Sequence, residues 1–221
     1  MMVLAHVRDG LLAPEWTAGP LALLHNHTRG LTAPLFFIVS GWSFAAATLP
    51  RWRAFQQWGP PLRRRLERIA MLFVIGKVLT VPWWHEGFPF DVPREHWLPN
   101  TTSGVLECLA IAMLAAHAVV YFARRPAVLV AVPFALAVLA VFLGPAVQDA
   151  TASWPLLLRG IFNADGALGG FPIAPFGAYF WFGAAVGGLW GLRDVRALQG
   201  ALALAAAGAL LWALAPLFSE L

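Results

Sequence analysis

The sequence predicts an all-α protein, a polytopic transmembrane helical bundle of about seven spans with a short first one. Three observations predict it. Of the 221 residues, 60% are hydrophobic and 12% are charged, whereas soluble domains carry about 25% charged residues. Several apolar stretches approach the ~20 residues that a spanning helix needs. Arginine-rich segments occupy alternate loops between those stretches, as the positive-inside rule requires.

Seven stretches are predicted to cross the bilayer. The first starts too late, because residues 1–13 at ~1.5 Å per residue cover roughly 20 Å of a hydrocarbon core of ~30 Å. We therefore expect a truncated N-terminus that lacks the cytoplasmic half of the first helix. No segment has the composition of a linker, so residues 1–221 form one predicted integral-membrane domain. The predicted spans are 1–13, 31–49, 66–84, 104–123, 126–147, 172–192 and 197–218.

Local signals support the individual spans. Pro34 suits the first turn of the second span. Gly183, Gly187 and Gly191 recur at every fourth position of the sixth span, which predicts a face that packs closely against another helix. Tryptophans mark the predicted membrane interfaces as an aromatic belt does, at positions 83, 84, 97 and 154.

The arginines predict the orientation. Segments 50–68, 123–126 and 192–199 hold ten of the 14 arginines. The positive-inside rule places these segments in the cytoplasm, which predicts an integral-membrane protein with its histidine-rich loops outside; in a bacterial cell this membrane would be the inner one. Because topology explains the net charge of +4, we predict the lipid bilayer, and no nucleic acid, as a partner. The single cysteine, Cys108, excludes an internal disulfide.

Histidines gather on the predicted outer side. His6 lies in the first span, where a histidine is costly unless it faces protein or water. If the second helix begins early, His25 lies one turn before Arg29, and a nearby cation favours the neutral imidazole that accepts a proton. Solvated loop histidines would give the same pattern, so both interpretations stay open. The five outer histidines are His6, His25, His27, His85 and His96.

Charged and polar groups inside the predicted spans are the next candidates. Glu107 lies one turn inside the fourth span and is expected to face the bundle, protonated or paired with Lys77 or Arg94. Lys77 can instead extend outward along the third span. His117 does not share a helical face with Glu107, and we favour a structural role for it.

Known short motifs contribute little. The glycine-rich segment 162–175 leads into a helix and could turn backbone N–H groups toward an anion, but glycine loops are common between spans. The sequence contains no zinc signature, P-loop, nucleotide fingerprint or serine-hydrolase elbow. We therefore predict no metal.

Three stretches together resemble a known family: MVLAHVRDGLLAP (2–14), TRGLTAPLFFIVSGWSFA (28–45) and FPIAPFGAYFWFGAAVGG (171–188). They are similar to the bacterial relatives of heparan-alpha-glucosaminide N-acetyltransferase, which are integral-membrane acyltransferases. GVLECLAIAMLAA (104–116) extends the resemblance, although Cys108 stands where the relatives have arginine. A second departure is the late start, since an arginine that related enzymes carry about ten residues before the first-span histidine has no place here.

The resemblance also assigns residues. HNHTRGLT (25–32) aligns His25 with the active histidine of the family, and FNADGALGG (162–170) aligns Asn163 and Asp165 with two acids, of which Asn163 is a replacement. It implies His25, His6 and Asp165 as catalytic residues. Substrate contacts are expected at His27, Arg29, Asn163 and Glu107, and contacts with CoA phosphates at Arg63, Arg64 and Arg65.

The implied reaction moves an acyl group, most simply acetyl, from cytosolic acyl-CoA to a sugar or glycolipid acceptor on the outer side. Acetyl-CoA is then a co-substrate and not a tightly bound cofactor. A neutral histidine would act as general base or carry the acyl group. The alternative is a non-catalytic transporter or accessory subunit, although we find no inverted repeat of the kind many transporters carry. A homodimer stays open.

Overall fold

A computed structural model describes residues 20–88, 90–163 and 170–192, with the backbone alone for residues 20–30, 94, 98, 99, 156 and 157. Within these residues the elements are helices and no strand occurs, so the predicted all-α class is confirmed for this part of the chain. The helices are α1 (Pro20–Thr48), a 3-10 helix (Leu49–Phe55), α2 (Pro60–Leu79), α3 (Arg94–Thr101), α4 (Val105–Phe122), α5 (Val128–Thr151), α6 (Leu156–Phe162) and α7 (Ile173–Leu192).

Four described segments are long and apolar enough to cross a membrane: Leu31–Phe55, Val105–Phe122, Val128–Thr151 and Ile173–Leu192. They correspond to the predicted spans 31–49, 104–123, 126–147 and 172–192. The structure thus supports an integral-membrane protein. The predicted spans 1–13 and 197–218 lie outside the described residues, and the count of seven stays a prediction.

Helix α2 differs from the predicted third span, 66–84. It begins six residues earlier, at Pro60, since proline suits a first helical turn, and it ends at Leu79. Helix α2 is not one of the four apolar segments above, because the arginines in its first half make it too polar. Its second half nevertheless exposes apolar side chains such as Val74 (57%) and Val78 (46%), as contact with lipid requires.

Helices α1 and α7 form the centre of the bundle and pack backbone to backbone. A Cβ on Gly183 would collide with the carbonyl oxygen of Ile38, and one on Gly187 would lie 2.7 Å from the carbonyl oxygen of Trp42. In the other direction, a Cβ on Gly41 would collide with the carbonyl oxygen of Phe180. The close-packing face predicted from the glycine spacing is confirmed.

The bundle has two ends. At the arginine end, defined by residues 49–68 and 123–127, the Gln56 side chain donates to the carbonyl oxygens of Val120, at 3.2 Å, and Ala123. At the opposite end, defined by residues 80–88, 90–104, 152–163 and 170–172, the Ser103 amide donates to Gly160 O at 3.0 Å. The described arginine-rich loops therefore meet at one end, as their alternation along the chain predicts.

Candidate functional site

The arginine end carries a cluster of cations that helix formation does not favour. Helix α2 starts with Pro60 and Pro61 after Gly59, and its first turn contains no acid. The positive end of a helix dipole repels cations, and arginines one turn apart repel each other. Such a cluster costs stability unless an anion lies between its members. The α2 arginines are Arg63, Arg64, Arg65 and Arg68.

Two clefts open between these arginines. The first has a volume of about 270 Å³, and its charged lining consists of Arg51, Arg64, Arg65 and Arg68. The second has a volume of about 480 Å³ and lies beside Trp58, Arg63 and Arg64. Arg64 lines both. We call them the four-arginine cleft and the Trp58 cleft.

Arg65 is the fixed member of the cluster. Its Cζ lies 3.6 Å from the ring centroid of Phe55 and 4.8 Å from that of Phe44, as cation–π contacts do. Its Nη1 donates to Thr48 Oγ1 at 2.7 Å. Burial, and then the charge of Arg68, lower the pKa of Arg65 to about 10. The guanidinium is therefore still a cation at neutral pH.

The other arginines of the cluster are less restrained. Arg63 pairs with Glu67 at 2.8 Å, but both side chains are exposed (75% and 57%), and an exposed pair of this kind contributes little to stability. Among the described residues of the arginine end, Glu67 is the one acidic residue. The cleft thus combines one immobilised cation with several that can turn toward a ligand.

A polar network occupies the opposite end. Lys77 Nζ donates to Asn100 O at 2.8 Å and to Thr102 O at 2.9 Å, and it lies 3.5 Å from Glu107 Oε1. Asn100 Nδ2 donates in return to Lys77 O and to Thr80 Oγ1, each at 2.9 Å, and the first of these bonds satisfies a carbonyl group where α2 ends. Lys77, one of the two partners predicted for Glu107, thus pairs with it, whereas the side chain of the other, Arg94, lies outside the described part.

The Glu107 carboxylate is enclosed by backbone. The residue is 1% exposed. A Cβ on Gly76 would collide with Oε2, and a Cβ on Gly104 would approach Oε2 to 2.7 Å. Gly76, in α2, and Gly104, directly before α4, thus leave the space that the Glu107 side chain fills.

Several residues predicted from the sequence lie outside the described part. His6 and Asp165 are not described, and for His25, His27 and Arg29 the structure gives the backbone of α1 alone. Their proximity to one another therefore stays a prediction.

The remaining predicted residues are placed. Asn163 follows α6, and its Nδ2 donates to Gln148 O at 2.9 Å. Glu107 lies at the same end of the bundle as Asn163, whereas the three α2 arginines lie at the other. The predicted substrate and CoA contacts are therefore separated along the bundle.

The arginines of segment 51–68 were all expected near CoA phosphates, but Arg51 and Arg68 were not singled out as Arg63, Arg64 and Arg65 were, and both line the four-arginine cleft. Arg68 follows Arg64 by one helical turn, and that spacing could have identified it. Arg51 reaches the cleft from the 3-10 helix Leu49–Phe55, and no sequence period predicts that approach.

His85 and His96 pack together at the opposite end, with ring centroids 4.5 Å apart. No described group of three or more histidine, cysteine, aspartate or glutamate side chains has the arrangement of a metal site. His117 is buried against Phe55, with ring centroids 6.0 Å apart, and contacts neither cleft directly.

The helices that can span a membrane, together with the four-arginine cleft at one end, define an integral-membrane protein with a cation-lined cleft. The family profile described as heparan-alpha-glucosaminide N-acetyltransferase, catalytic, matches residues 1–214. The chain belongs to this family, which supports membrane acetyltransferase activity. Comparisons with curated proteins and with solved structures found no match.

Proposed function

We propose that this protein transfers an acetyl group from acetyl-CoA, bound at the arginine end, to an amine or hydroxyl of a sugar or glycolipid acceptor at the opposite end. The observation that carries the proposal is the four-arginine cleft in a chain of this acetyltransferase family. In this proposal the arginine end faces the cytoplasm, in accordance with the positive-inside rule.

The donor is placed at the arginine end because its phosphates match the cations that line the cleft. The 3′-phosphate and pyrophosphate of CoA are the most strongly charged parts of the donor, and guanidinium groups bind phosphate oxygens through paired, charge-assisted hydrogen bonds. Arg51, Arg64 and Arg68 have no ion pair with a described carboxylate. Arg65 supplies a fixed cation beside them. Topology alone also attracts arginines to this end, so the cleft supports the proposal through its geometry and not through its charge count.

The chemical step needs a base near the acceptor. The acceptor nitrogen or oxygen attacks the thioester carbonyl, the C–S bond breaks, and CoA leaves as the thiolate, which is then protonated. We assign to His25 the removal of the acceptor proton, with His6 and Asp165 as further candidates. His27, Arg29 and Asn163 are proposed to contact the acceptor. In the variant mechanism His25 first takes the acetyl group itself and then passes it on.

Acetyl transfer by membranes containing the wild-type protein or His25→Ala tests this assignment. Labelled acetyl-CoA is supplied with a panel of amino-sugar and glycolipid acceptors. We expect the variant to lose about 100-fold or more of the transfer rate, the usual loss when a general base is removed. His85→Ala, which removes a half-buried histidine to which the proposal gives no role, is the matched comparison for expression and folding.

Undiminished transfer by His25→Ala would refute its role as the base. If the wild-type protein is stabilised by acetyl-CoA against thermal unfolding and yet transfers acetyl to no acceptor, the non-catalytic alternative gains support.

A further inference from the structure

Glu107 is 1% exposed and lines neither of the two clefts. Its carboxylate lies between Gly76 and Gly104. Oε1 accepts no hydrogen bond and has the ammonium of Lys77 at 3.5 Å as its ionic partner. Burying such a pair is costly, and an apolar pair of similar size often stabilises a protein as well or better. Stability alone therefore does not account for the Lys77–Glu107 pair.

The hydrogen bonds of Lys77 show which backbone segment the ion pair restrains. The Lys77 ammonium donates to Asn100 O in the last turn of α3 and to Thr102 O in the turn that joins α3 to α4. Two of its three protons are thus used by carbonyl oxygens, and the Glu107 carboxylate lies 3.5 Å away, so the ammonium is restrained from both sides. Thr102 and Ser103 of the turn are buried (6% and 2% exposed). The ion pair therefore anchors a buried piece of irregular backbone at the opposite end of the bundle.

The same turn is hydrogen-bonded to α6 and to the segment that precedes α7. The Ser103 amide donates to Gly160 O in α6 at 3.0 Å, and Ser103 O accepts from the Phe171 amide at 2.6 Å. A Cβ on Gly160 would collide with Thr101 O, so α6 lies directly on the turn. Asn163, a proposed acceptor contact, comes one residue after the end of α6. Displacement of residues 101–103 would move both Asn163 and Phe171.

We propose that the Lys77–Glu107 ion pair is a positioning element, which fixes Asn163 and Phe171 through the turn 101–103 and thereby sets the geometry of the acceptor end. This inference rests on the proposed acetyl transfer. It assigns Lys77 a role in turnover and assigns Glu107 positioning in place of substrate contact. Neither residue touches the reacting atoms.

Two variants separate positioning from stability. Lys77→Met removes both carbonyl contacts and leaves the Glu107 carboxylate unpaired. Lys77→Met/Glu107→Gln removes the unpaired charge as well, so much of the thermal stability should return. The carbonyl contacts stay absent in the double variant. We expect kcat per folded protein to fall about 10- to 100-fold in both variants, because small misplacements of substrate-contacting groups have effects of this size, and we expect KM for acetyl-CoA to be unchanged.

Hydrogen exchange gives a readout that does not need activity. In the double variant the amides of Ser103 and Phe171, which donate within this network, should exchange faster than in the wild type. Asp149→Asn, which neutralises an exposed carboxylate on α5, is the charge control and should change neither kcat nor these two amides.

Recovery of kcat along with thermal stability in the double variant would overturn the proposal, as would unchanged exchange at Ser103 and Phe171. If the wild-type protein transfers no acetyl group, the proposed function fails. The exchange experiment then still decides whether the ion pair fixes the turn.

Discussion

At the scale of single residues, the arginine end contains cations of two kinds. Arg65 lies between the rings of Phe44 and Phe55 and donates to Thr48, so its guanidinium is ordered before any ligand arrives. Arg64 and Arg68 line the same cleft without such partners. A fixed charge beside adaptable ones lowers the entropy lost on binding a phosphate group, since part of the site is already in place.

Acetyl-CoA binding should depend on the adaptable arginines. Arg64→Gln and Arg68→Gln each remove one charge from the four-arginine cleft. A charged hydrogen bond contributes about 1.5–3 kcal/mol, so we expect each variant to weaken acetyl-CoA binding about 10- to 100-fold. Thermal-shift titration or calorimetry with detergent-solubilised protein measures the change.

Arg124→Gln provides the matched control for that experiment. Arg124 lies at the same end and is exposed, but it lines neither cleft. If all three variants weaken binding equally, the effect is one of net charge and the cleft is not the binding site. Raising the salt concentration should also weaken binding by the wild type, as screening predicts.

At the scale of elements, the contact between α1 and α7 depends on missing side chains. Gly183→Ala should destabilise the protein by about 1–3 kcal/mol, because its Cβ meets the backbone carbonyl of Ile38 and overpacking has costs of this size. Thermal unfolding in detergent, followed by tryptophan fluorescence, measures the loss.

Gly144→Ala is the same substitution in a different setting. Its Cβ would meet nothing closer than the Cβ of Ala174 at 3.7 Å, an ordinary contact. We expect it to be neutral or to stabilise α5 by about 0.5–1 kcal/mol, since alanine is the better helix former. Equal losses in the two variants would argue against a close α1–α7 contact.

Hydropathy and glycine spacing predicted much of the element scale, because both depend on residues near one another in sequence. The stretch 104–123 was predicted within one residue at each end of α4, Val105–Phe122. The end of α2 at Leu79 could not be predicted in this way. It is stabilised by the Asn100 side chain, whose partner atoms lie 20 and 23 positions earlier in the chain.

The candidate site was less predictable, because its geometry depends on contacts between residues that are distant in sequence. The sequence identified Arg63, Arg64 and Arg65 as a charged run, but it could not distinguish the restrained Arg65 from the exposed Arg63. That difference comes from Phe44 and Thr48 on another helix. Likewise, hydrophobicity alone identified Glu107 as unusual, whereas its enclosure by Gly76 is a tertiary contact.

At the scale of the whole molecule, the two ends should lie on different sides of the membrane. Trp58→Cys places a thiol at the arginine end and Phe90→Cys places one at the opposite end, at positions that are 77% and 96% exposed. The native Cys108 is fully buried and should not react. In intact cells, a membrane-impermeant thiol reagent should label Phe90→Cys and spare Trp58→Cys until the cells are lysed. The reverse pattern would place the arginine end outside and remove its access to cytosolic acetyl-CoA.

The backbone contact between α1 and α7 also bears on how the molecule can move. Where carbonyl groups lie against α-carbons, no layer of flexible side chains remains to let two helices slide past each other. Helix α2 is different, for it packs mainly on α4 and faces its surroundings with a broad apolar surface. During turnover we therefore expect the central pair to keep one relative position, whereas any movement of α2 would require the contacts of Arg65 and Lys77 to open.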